Sequence, residues 1–297
     1  MNQEMLNIMR DRPGYITALD FGGLAPNTVF VLKNYGINSS DVDSDEKADL
    51  LANRYRERIL TNDAYNADKI CGCIVMEGAL DYEINGKCTP EYLWEEKNIL
   101  TFLAVSNNPL PVENGVRLMH PIYNLEGLLE AAAKHHVFGT KAYTDILEYN
   151  EKGIRELVDQ QVFVGKQAVR YGLVPILEPC VAIDNPEKAK TEQFLHDLLK
   201  EAINRFSPED RIIFKLTLPE QDDLYEDLLE DPRVVRIVGL SGGYTQKESC
   251  ERLARNHKMV ASFARAFMED LKIYMTKEEF DEKLAQNIEN IFQASIL

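Results

Sequence analysis

A lysine lies inside a run of residues that is typical of a buried β-strand. The run extends from Arg211 to Pro219 and reads Arg-Ile-Ile-Phe-Lys-Leu-Thr-Leu-Pro, with Lys215 at its centre. An ammonium group is costly in a low-dielectric interior unless it finds a partner or gives up its proton. A neutral lysine amine is a nucleophile that forms a Schiff base with a ketone. A lysine that reaches to solvent from a strand end is equally compatible with this run. The residues elsewhere in the chain decide between these two interpretations.

Further polar residues stand at the ends of other predicted strands. They are Asp20, Lys141, Glu178, Ser241, Gly242, Gly243, Ser262 and Arg265. Two ammonium groups held close together repel, which favours the neutral form of one, and a partly buried glutamate is a candidate acid–base group. The two glycines offer backbone N–H groups free of side chains for an anion, which Arg265 could also bind. One such residue would be an ordinary helix cap, but so many at successive strand ends favour a functional site.

Short apolar runs that predict these strands recur along the whole chain. They cover residues 16–20, 69–76, 101–105, 137–141, 173–179, 211–218, 234–241 and 259–263. Amphipathic helices are predicted at 46–60, 151–171, 185–205, 218–229, 245–257 and 276–296, and a loop at 106–114. Strands that alternate with helices pair in parallel, so the pattern predicts an α/β protein with a single (β/α)8 TIM barrel over residues 1–297. An open doubly wound sheet is the alternative, although no GxGxxG motif follows the first strand.

Composition excludes several classes of function. The formal net charge is −16 and no basic run is present, which argues against nucleic acid or an anionic membrane as a partner. No stretch of the sequence predicts a transmembrane helix and the first residues do not resemble a signal peptide. The five cysteines show no CxxC pair and the five histidines no HxH or HExxH spacing. Reduced thiols, a cytoplasmic location and the absence of a metal site, including one at His135-His136, are therefore expected.

Several segments resemble class I fructose-bisphosphate aldolases, in particular their short bacterial form. The matching segments are 12–20 (Arg-Pro-Gly-Tyr-Ile-Thr-Ala-Leu-Asp), 92–95 (Tyr-Leu-Trp-Glu), 138–141 (Phe-Gly-Thr-Lys), 172–179 (Gly-Leu-Val-Pro-Ile-Leu-Glu-Pro), 215–219 (Lys-Leu-Thr-Leu-Pro), 240–244 (Leu-Ser-Gly-Gly-Tyr) and 261–266 (Ala-Ser-Phe-Ala-Arg-Ala). The resemblance covers nearly the whole chain. It implies an aldehyde-lyase that cleaves a ketose phosphate to dihydroxyacetone phosphate and an aldehyde.

The resemblance also implies roles for the residues at the strand ends. Lys215 matches the Schiff-base lysine and Lys141 a second lysine that contacts the substrate. Asp20 matches an aspartate that assists carbinolamine formation, and Glu178 the general acid–base. The pocket for the C1 phosphate is matched by Ser241, Gly242, Gly243 and Arg265, with Ser262 nearby. The chemistry implied uses neither a metal nor a cofactor, its partner is a sugar phosphate, and a homo-oligomer is compatible with the family.

The chain departs from the family pattern at the far end of the site. Phe21 and Leu24 stand in a segment where the family carries two serines; Ala104 replaces a lysine, Tyr143 an arginine and Cys180 a glutamate. In the family most of the lost groups serve the C6 phosphate, so the resemblance implies a weaker pocket for it and predicts a substrate phosphorylated at C1 only, or one whose far end is less anionic.

Three alternatives remain open at the level of sequence. In the first, another cation has taken over the C6 phosphate; the candidates are Lys33, Arg54 and Arg117. Cys180 either fills space or acts as a redox-sensitive thiol. Finally, a catalytically reduced aldolase homologue could bind a sugar phosphate or a protein without turnover, although such a protein has no need of a matched amine and carboxylic acid.

Overall fold

The computed structural model describes residues 2–106 and 109–297. The strands in these residues are β1 (Tyr15–Ala18), β2 (Ile70–Val75), β3 (Glu83–Ile84), β4 (Lys87–Cys88), β5 (Leu100–Ala104), β6 (Val116–Arg117), β7 (Val137–Ile146), β8 (Val174–Val181), β9 (Ile212–Thr217), β10 (Val234–Leu240) and β11 (Met259–Ala261). Eight of the described strands are parallel neighbours in the order β1-β2-β5-β7-β8-β9-β10-β11. The backbone N–H of Ala18 donates to the carbonyl of Phe263 at 3.1 Å, which brings the two ends of the sheet together. The predicted (β/α)8 barrel is therefore confirmed.

Helices cover the outside of the barrel. They are α1 (Gln3–Asp11), α2 (Pro26–Tyr35), α3 (Asp45–Leu60), α4 (Thr89–Glu95), α5 (Leu125–Lys134), α6 (Glu151–Arg170), α7 (Lys188–Ile203), α8 (Gln246–Leu253) and α9 (Lys277–Ser295). Local sequence determines where they begin: α6 follows Asn150, whose side chain accepts from the N–H of Gly153, and α9 begins with a capping box between Thr276 and Glu279. Such side-chain acceptors satisfy N–H groups that have no partner within the helix. Among the described residues, no helix combines the length and the apolar character needed to cross a membrane.

Most predicted boundaries lie within two residues of the observed ones, but the helix predicted at 218–229 is wrong. The chain forms only a short 3₁₀ segment there, Glu226–Glu230. Pro219 restricts the residue before it to extended conformations, and Asp223 adopts a φ of 58°, so a continuous right-handed helix cannot form. In the predicted loop at 106–114, residues 107 and 108 lie outside the described part of the chain, and Pro109 forms a bridge with Met119.

Strand β7 is five residues longer than the sequence predicted. Its C-terminal half pairs in parallel with β8 as far as Ile146 and in antiparallel with β6, where Arg117 lies opposite Asp145. This extension carries the strand beyond Lys141. Side chains alternate along a strand, so Lys141, Tyr143 and Asp145 share one face. Contacts of Lys141 described below place that face at the mouth of the barrel.

The floor of the barrel depends on a glycine of β7. A methyl group at Gly139 would overlap the carbonyl oxygen of Val174 and lie 2.8 Å from the ring of Phe102. Gly139→Ala is therefore expected to lower the free energy of unfolding by about 1–3 kcal/mol, measured by urea denaturation. Gly78→Ala is the control, since its methyl group would lie 3.6 Å from Asp49, and we expect a change of at most about 0.5 kcal/mol. Equal stability of the two variants would contradict this packing.

Candidate active site

Four charged side chains meet at the mouth of the barrel. Lys141 Nζ lies 2.7 Å from Asp20 Oδ2 and 2.9 Å from Glu178 Oε2, while Lys215 Nζ lies 3.1 Å from Glu178 Oε1. Lys141, Glu178 and Lys215 are only 6%, 4% and 3% exposed. The structure thus brings together the four residues that the sequence predicted to be catalytic, in one chain of charges from Asp20 to Lys215.

Two polar side chains from outer helices fix the backbone that carries the carboxylates. Arg56 of α3 donates to the carbonyls of Leu19 and Phe21, on either side of Asp20, at 3.1 and 2.5 Å. Gln161 of α6 accepts from the N–H of Glu178 at 3.2 Å and donates to its carbonyl at 3.3 Å. No sequence pattern indicated these roles, because both depend on the packing of a helix against a strand end.

The charges of this cluster determine one another. Burial disfavours the charge of Lys141, but Asp20 and Glu178 more than offset this effect, so the pKa of Lys141 is raised. Burial likewise disfavours the Asp20 carboxylate, but Lys141 and Lys215 outweigh it and the pKa of Asp20 is lowered. Lys141 is therefore protonated and Asp20 ionised at neutral pH. In the described structure Lys215 pairs with one carboxylate, Glu178, and Lys141 with two.

The glycine turn after β10 has the features of an anion site. Gly242 and Gly243 adopt φ angles of 61° and 128°, and among the described residues no protein acceptor is found for their N–H groups. Arg265 Nη2 lies 3.8 Å from the position that a Cβ of Gly243 would take, and no carboxylate among the described residues pairs with this guanidinium. Ser241 and Ser262 are buried beside the turn. Successive N–H groups next to an arginine form a concave site for an anion such as phosphate.

The opposite wall of the mouth lacks the cations that the resemblance led us to expect. Ala104 pairs with Lys141 in register and adds no charge. The ring of Tyr143 lies 5.1 Å from Lys141 Nζ, and its hydroxyl donates to Asp145. Arg117 Nη1 lies 3.7 Å from Asp145 Oδ2. Asp145 was missed by the sequence analysis; the alternation of Lys141, Tyr143 and Asp145 was the signal that could have revealed it.

The other two cations considered as replacements lie on the helices. Lys33 is exposed on α2 and Arg54 on α3. Of the three candidates, Arg117 is thus the one that the described contacts place against a residue of β7.

Cys180 is buried on β8, and its Sγ lies 3.6 Å from Thr217 Oγ1. Burial, followed by the charges of Asp145 and Glu178, raises the pKa of its thiol to about 12. Because the thiolate is the reactive form, this environment disfavours the redox interpretation and favours a residue that fills space.

Among the described residues, one group of potential metal ligands is found outside this mouth. Cys88, Glu91 and His135 present ligand atoms within 4.8 Å of one another. His135 ends α5 just before β7 begins, so the group lies at the opposite, N-terminal end of the barrel. Cys88 Sγ lies 3.7 Å from His135 Nδ1, a distance that a weak hydrogen bond explains.

The comparisons with known proteins agree with this geometry. No protein-family model matches the chain. The class 1 fructose-bisphosphate aldolase of Clostridium acetobutylicum is 42% identical over 297 residues, which cover all of both chains. The chain belongs to the class 1 fructose-bisphosphate aldolase family. It is accordingly an aldehyde-lyase of the aldolase type.

Solved structures support the fold of this family member. A fructose-bisphosphate aldolase from Plasmodium falciparum, solved in complex with TRAP and a small-molecule inhibitor, superposes with a TM-score of 0.75 at 17% identity, covering 98% of this chain and 93% of that one. A Corynebacterium glutamicum protein, Cgl0159, gives a TM-score of 0.54 at 12% identity, covering 98% and 91%. At these identities the two neighbours establish the barrel alone.

Proposed function

We propose that this aldolase cleaves a ketose phosphate, either fructose 1,6-bisphosphate or a ketose 1-phosphate, through a Schiff base on Lys215. The observation that carries the proposal is the contact of Lys215 Nζ with Glu178 Oε1 at 3.1 Å inside the barrel. An amine and a carboxylate at hydrogen-bond distance are the pair that imine chemistry requires. A strand lysine kept for stability alone would need only one counter-ion, whereas Lys215 belongs to a cluster that also holds Lys141 and Asp20.

The first half of the reaction makes the imine. Lys215 Nζ gives one proton to Glu178 and adds as the free amine to the C2 carbonyl carbon; a second amine proton moves to the C2 oxygen, which forms a carbinolamine. Glu178 then gives a proton to the C2 hydroxyl, which leaves as water and produces the protonated imine. Asp20 accepts a hydrogen bond from a substrate hydroxyl, and Lys141, between Asp20 and Glu178, keeps both carboxylates in place.

The second half breaks the carbon–carbon bond. Glu178 takes the proton of the C4 hydroxyl, the C4 oxygen becomes an aldehyde, and the electrons of the C3–C4 bond move to the iminium to give an enamine. Protonation at C3 and addition of water then release dihydroxyacetone phosphate and the free amine of Lys215. The iminium is the electron sink, so no Lewis-acid metal is required for this step.

We assign the C1 phosphate to the turn of Ser241, Gly242 and Gly243, with Ser262 and Arg265. Arg265→Met is expected to raise KM for the ketose phosphate roughly 10- to 150-fold, since a hydrogen bond to a charged group contributes about 1.5–3 kcal/mol. Steady-state kinetics measure the change. Arg255→Met is the control, because Arg255 pairs with Asp222 at the surface after α8. An unchanged KM in Arg265→Met would contradict the assignment.

Turnover in the presence of a chelator tests the proposed function as a whole. The enzyme is expected to produce dihydroxyacetone phosphate from fructose 1,6-bisphosphate or fructose 1-phosphate at the same rate with and without EDTA. Binding of both sugars without any product would instead support a catalytically reduced homologue. Loss of the activity in EDTA, with recovery on adding a divalent metal, would contradict the Schiff-base mechanism.

The broader setting follows from this activity. We propose that residues 1–297 act as one aldolase domain and that the enzyme serves carbohydrate metabolism such as glycolysis in the cytoplasm. A homo-oligomer is compatible with this site, since the residues assigned above all come from one chain.

A further inference from the structure

The site has two ends that lie on opposite sides of the barrel. In the strand order, β7 and β11 are separated by β8, β9 and β10, so β7 faces the strand that leads to Ser262 and Arg265 across the mouth. Lys215 lies on β9, midway between them. A ketose held with its C1 phosphate at the glycine turn and its C2 carbon at Lys215 therefore directs its remaining carbons toward β7.

Beyond Lys141, whose ammonium group is held by Asp20 and Glu178, the groups that β7 presents to these carbons are anionic or neutral. The Tyr143 hydroxyl donates to Asp145, which is 8% exposed, and Arg117 pairs with the other oxygen of the same carboxylate. The charge of Arg117 is thus balanced by Asp145. Ala104 and Cys180 add no cation.

The chemistry of these groups opposes a phosphate. A phosphate dianion next to a carboxylate is repelled in a site of low dielectric. Its oxygens would also lose their hydrogen bonds from water and find few protein donors to replace them. A hydroxyl has the opposite requirements, because it can donate to a carboxylate or to the oxygen of a phenol whose own proton is already donated. Burial is the main cause that raises the pKa of Asp145, and the nearby Glu178 adds to it, so a further anion would be unfavourable here.

We infer that Tyr143 and Asp145 form a subsite for the hydroxyl groups of an unphosphorylated aldehyde, which makes ketose 1-phosphates the preferred substrate class. This inference rests on the proposed function, since it concerns the far end of the same substrate. In this inference Tyr143 and Asp145 determine which aldehyde is accepted, whereas Lys215 and Glu178 carry out the chemistry.

Condensation of dihydroxyacetone phosphate with two aldehydes tests the subsite. The ratio of kcat/KM for D-glyceraldehyde to that for D-glyceraldehyde 3-phosphate is expected to exceed ten in the wild type. Asp145→Asn, which removes the charge and keeps the shape, is expected to lower this ratio at least fivefold. The double variant Ala104→Lys/Tyr143→Arg, which adds two cations, is expected to bring the ratio below one.

Controls separate the subsite from a general loss of structure. Tyr149→Phe removes a hydroxyl that donates to Glu151 on the outer surface, and it is expected to leave the ratio unchanged. A wild-type preference for the phosphorylated aldehyde would overturn the inference without any variant. A ratio that is the same in wild type, Asp145→Asn and the double variant would overturn it as well.

The two proposals fail in different ways. Dihydroxyacetone phosphate needs only Lys215 and the glycine turn and does not extend to Tyr143 and Asp145. Borohydride is therefore expected to trap its imine whichever aldehyde the subsite prefers. A trapped imine with a preference for the phosphorylated aldehyde contradicts only the subsite. Absence of the imine contradicts the proposed function.

Discussion

Lys215→Met is expected to lower kcat at least about 10³-fold and to abolish covalent trapping of the substrate, because the thioether has no amine to add to the ketone. Methionine is similar in length to lysine and tolerates a buried strand position, so the barrel is expected to remain folded. Cleavage kinetics and borohydride trapping of the same preparation measure the two effects.

A second lysine variant shows whether the loss is specific to the mouth. Lys97 is half-buried just before β5, it donates to the carbonyl of Asn62, and burial lowers its pKa. Lys97→Met is therefore a matched change of a partly desolvated lysine outside the site, and it is expected to keep activity and trapping. Persistent labelling in Lys215→Met would move the nucleophile elsewhere, and Lys141 would be the next candidate.

Glu178→Gln is expected to lower kcat about 10²–10⁴-fold, the usual contribution of a general acid–base group. The amide keeps the size of the side chain, and Gln161 still binds the backbone of residue 178, so the position is preserved. KM is expected to change much less, since the groups proposed to bind the phosphate follow β10 and β11 and do not come from β8. Steady-state kinetics with a ketose phosphate separate the two parameters.

A matched buried glutamate provides the control for Glu178. Glu192 of α7 is fully buried and pairs with Lys188 at 2.6 Å. Glu192→Gln therefore disturbs a buried ion pair of the same kind outside the site, and it is expected to reduce stability and to leave kcat within a few fold. Equal losses of kcat in the two variants would show that Glu178 acts through the structure and would contradict its role in proton transfer.

The cluster of four charged residues could be predicted from sequence because parallel strands end at the same rim. Asp20, Lys141, Glu178 and Lys215 each follow or lie in an apolar run, and closure of the barrel brings such positions together. The sequence identified these four residues but not which of them contact one another. That Lys141 bridges two carboxylates while Lys215 meets one depends on strand register, which the sequence does not encode locally.

The opposite wall of the mouth, with Ala104, Tyr143 and Asp145, was less predictable, again because of strand pairing. The replacements at Ala104 and Tyr143 were visible, yet β7 was expected to end at Lys141. Its extension is stabilised by pairing with β6, a strand of two residues that comes from a loop and has no periodic pattern of its own. The approach of Arg117 to Asp145 followed from that pairing alone.

The most direct test of the account is mass spectrometry of the enzyme after reduction with borohydride in the presence of dihydroxyacetone phosphate. We predict a single secondary-amine adduct on Lys215, and none on Lys141, in intact wild-type protein. An enzyme that turns over its ketose phosphate but yields no adduct, or an adduct on another lysine, would contradict the Schiff-base mechanism proposed here.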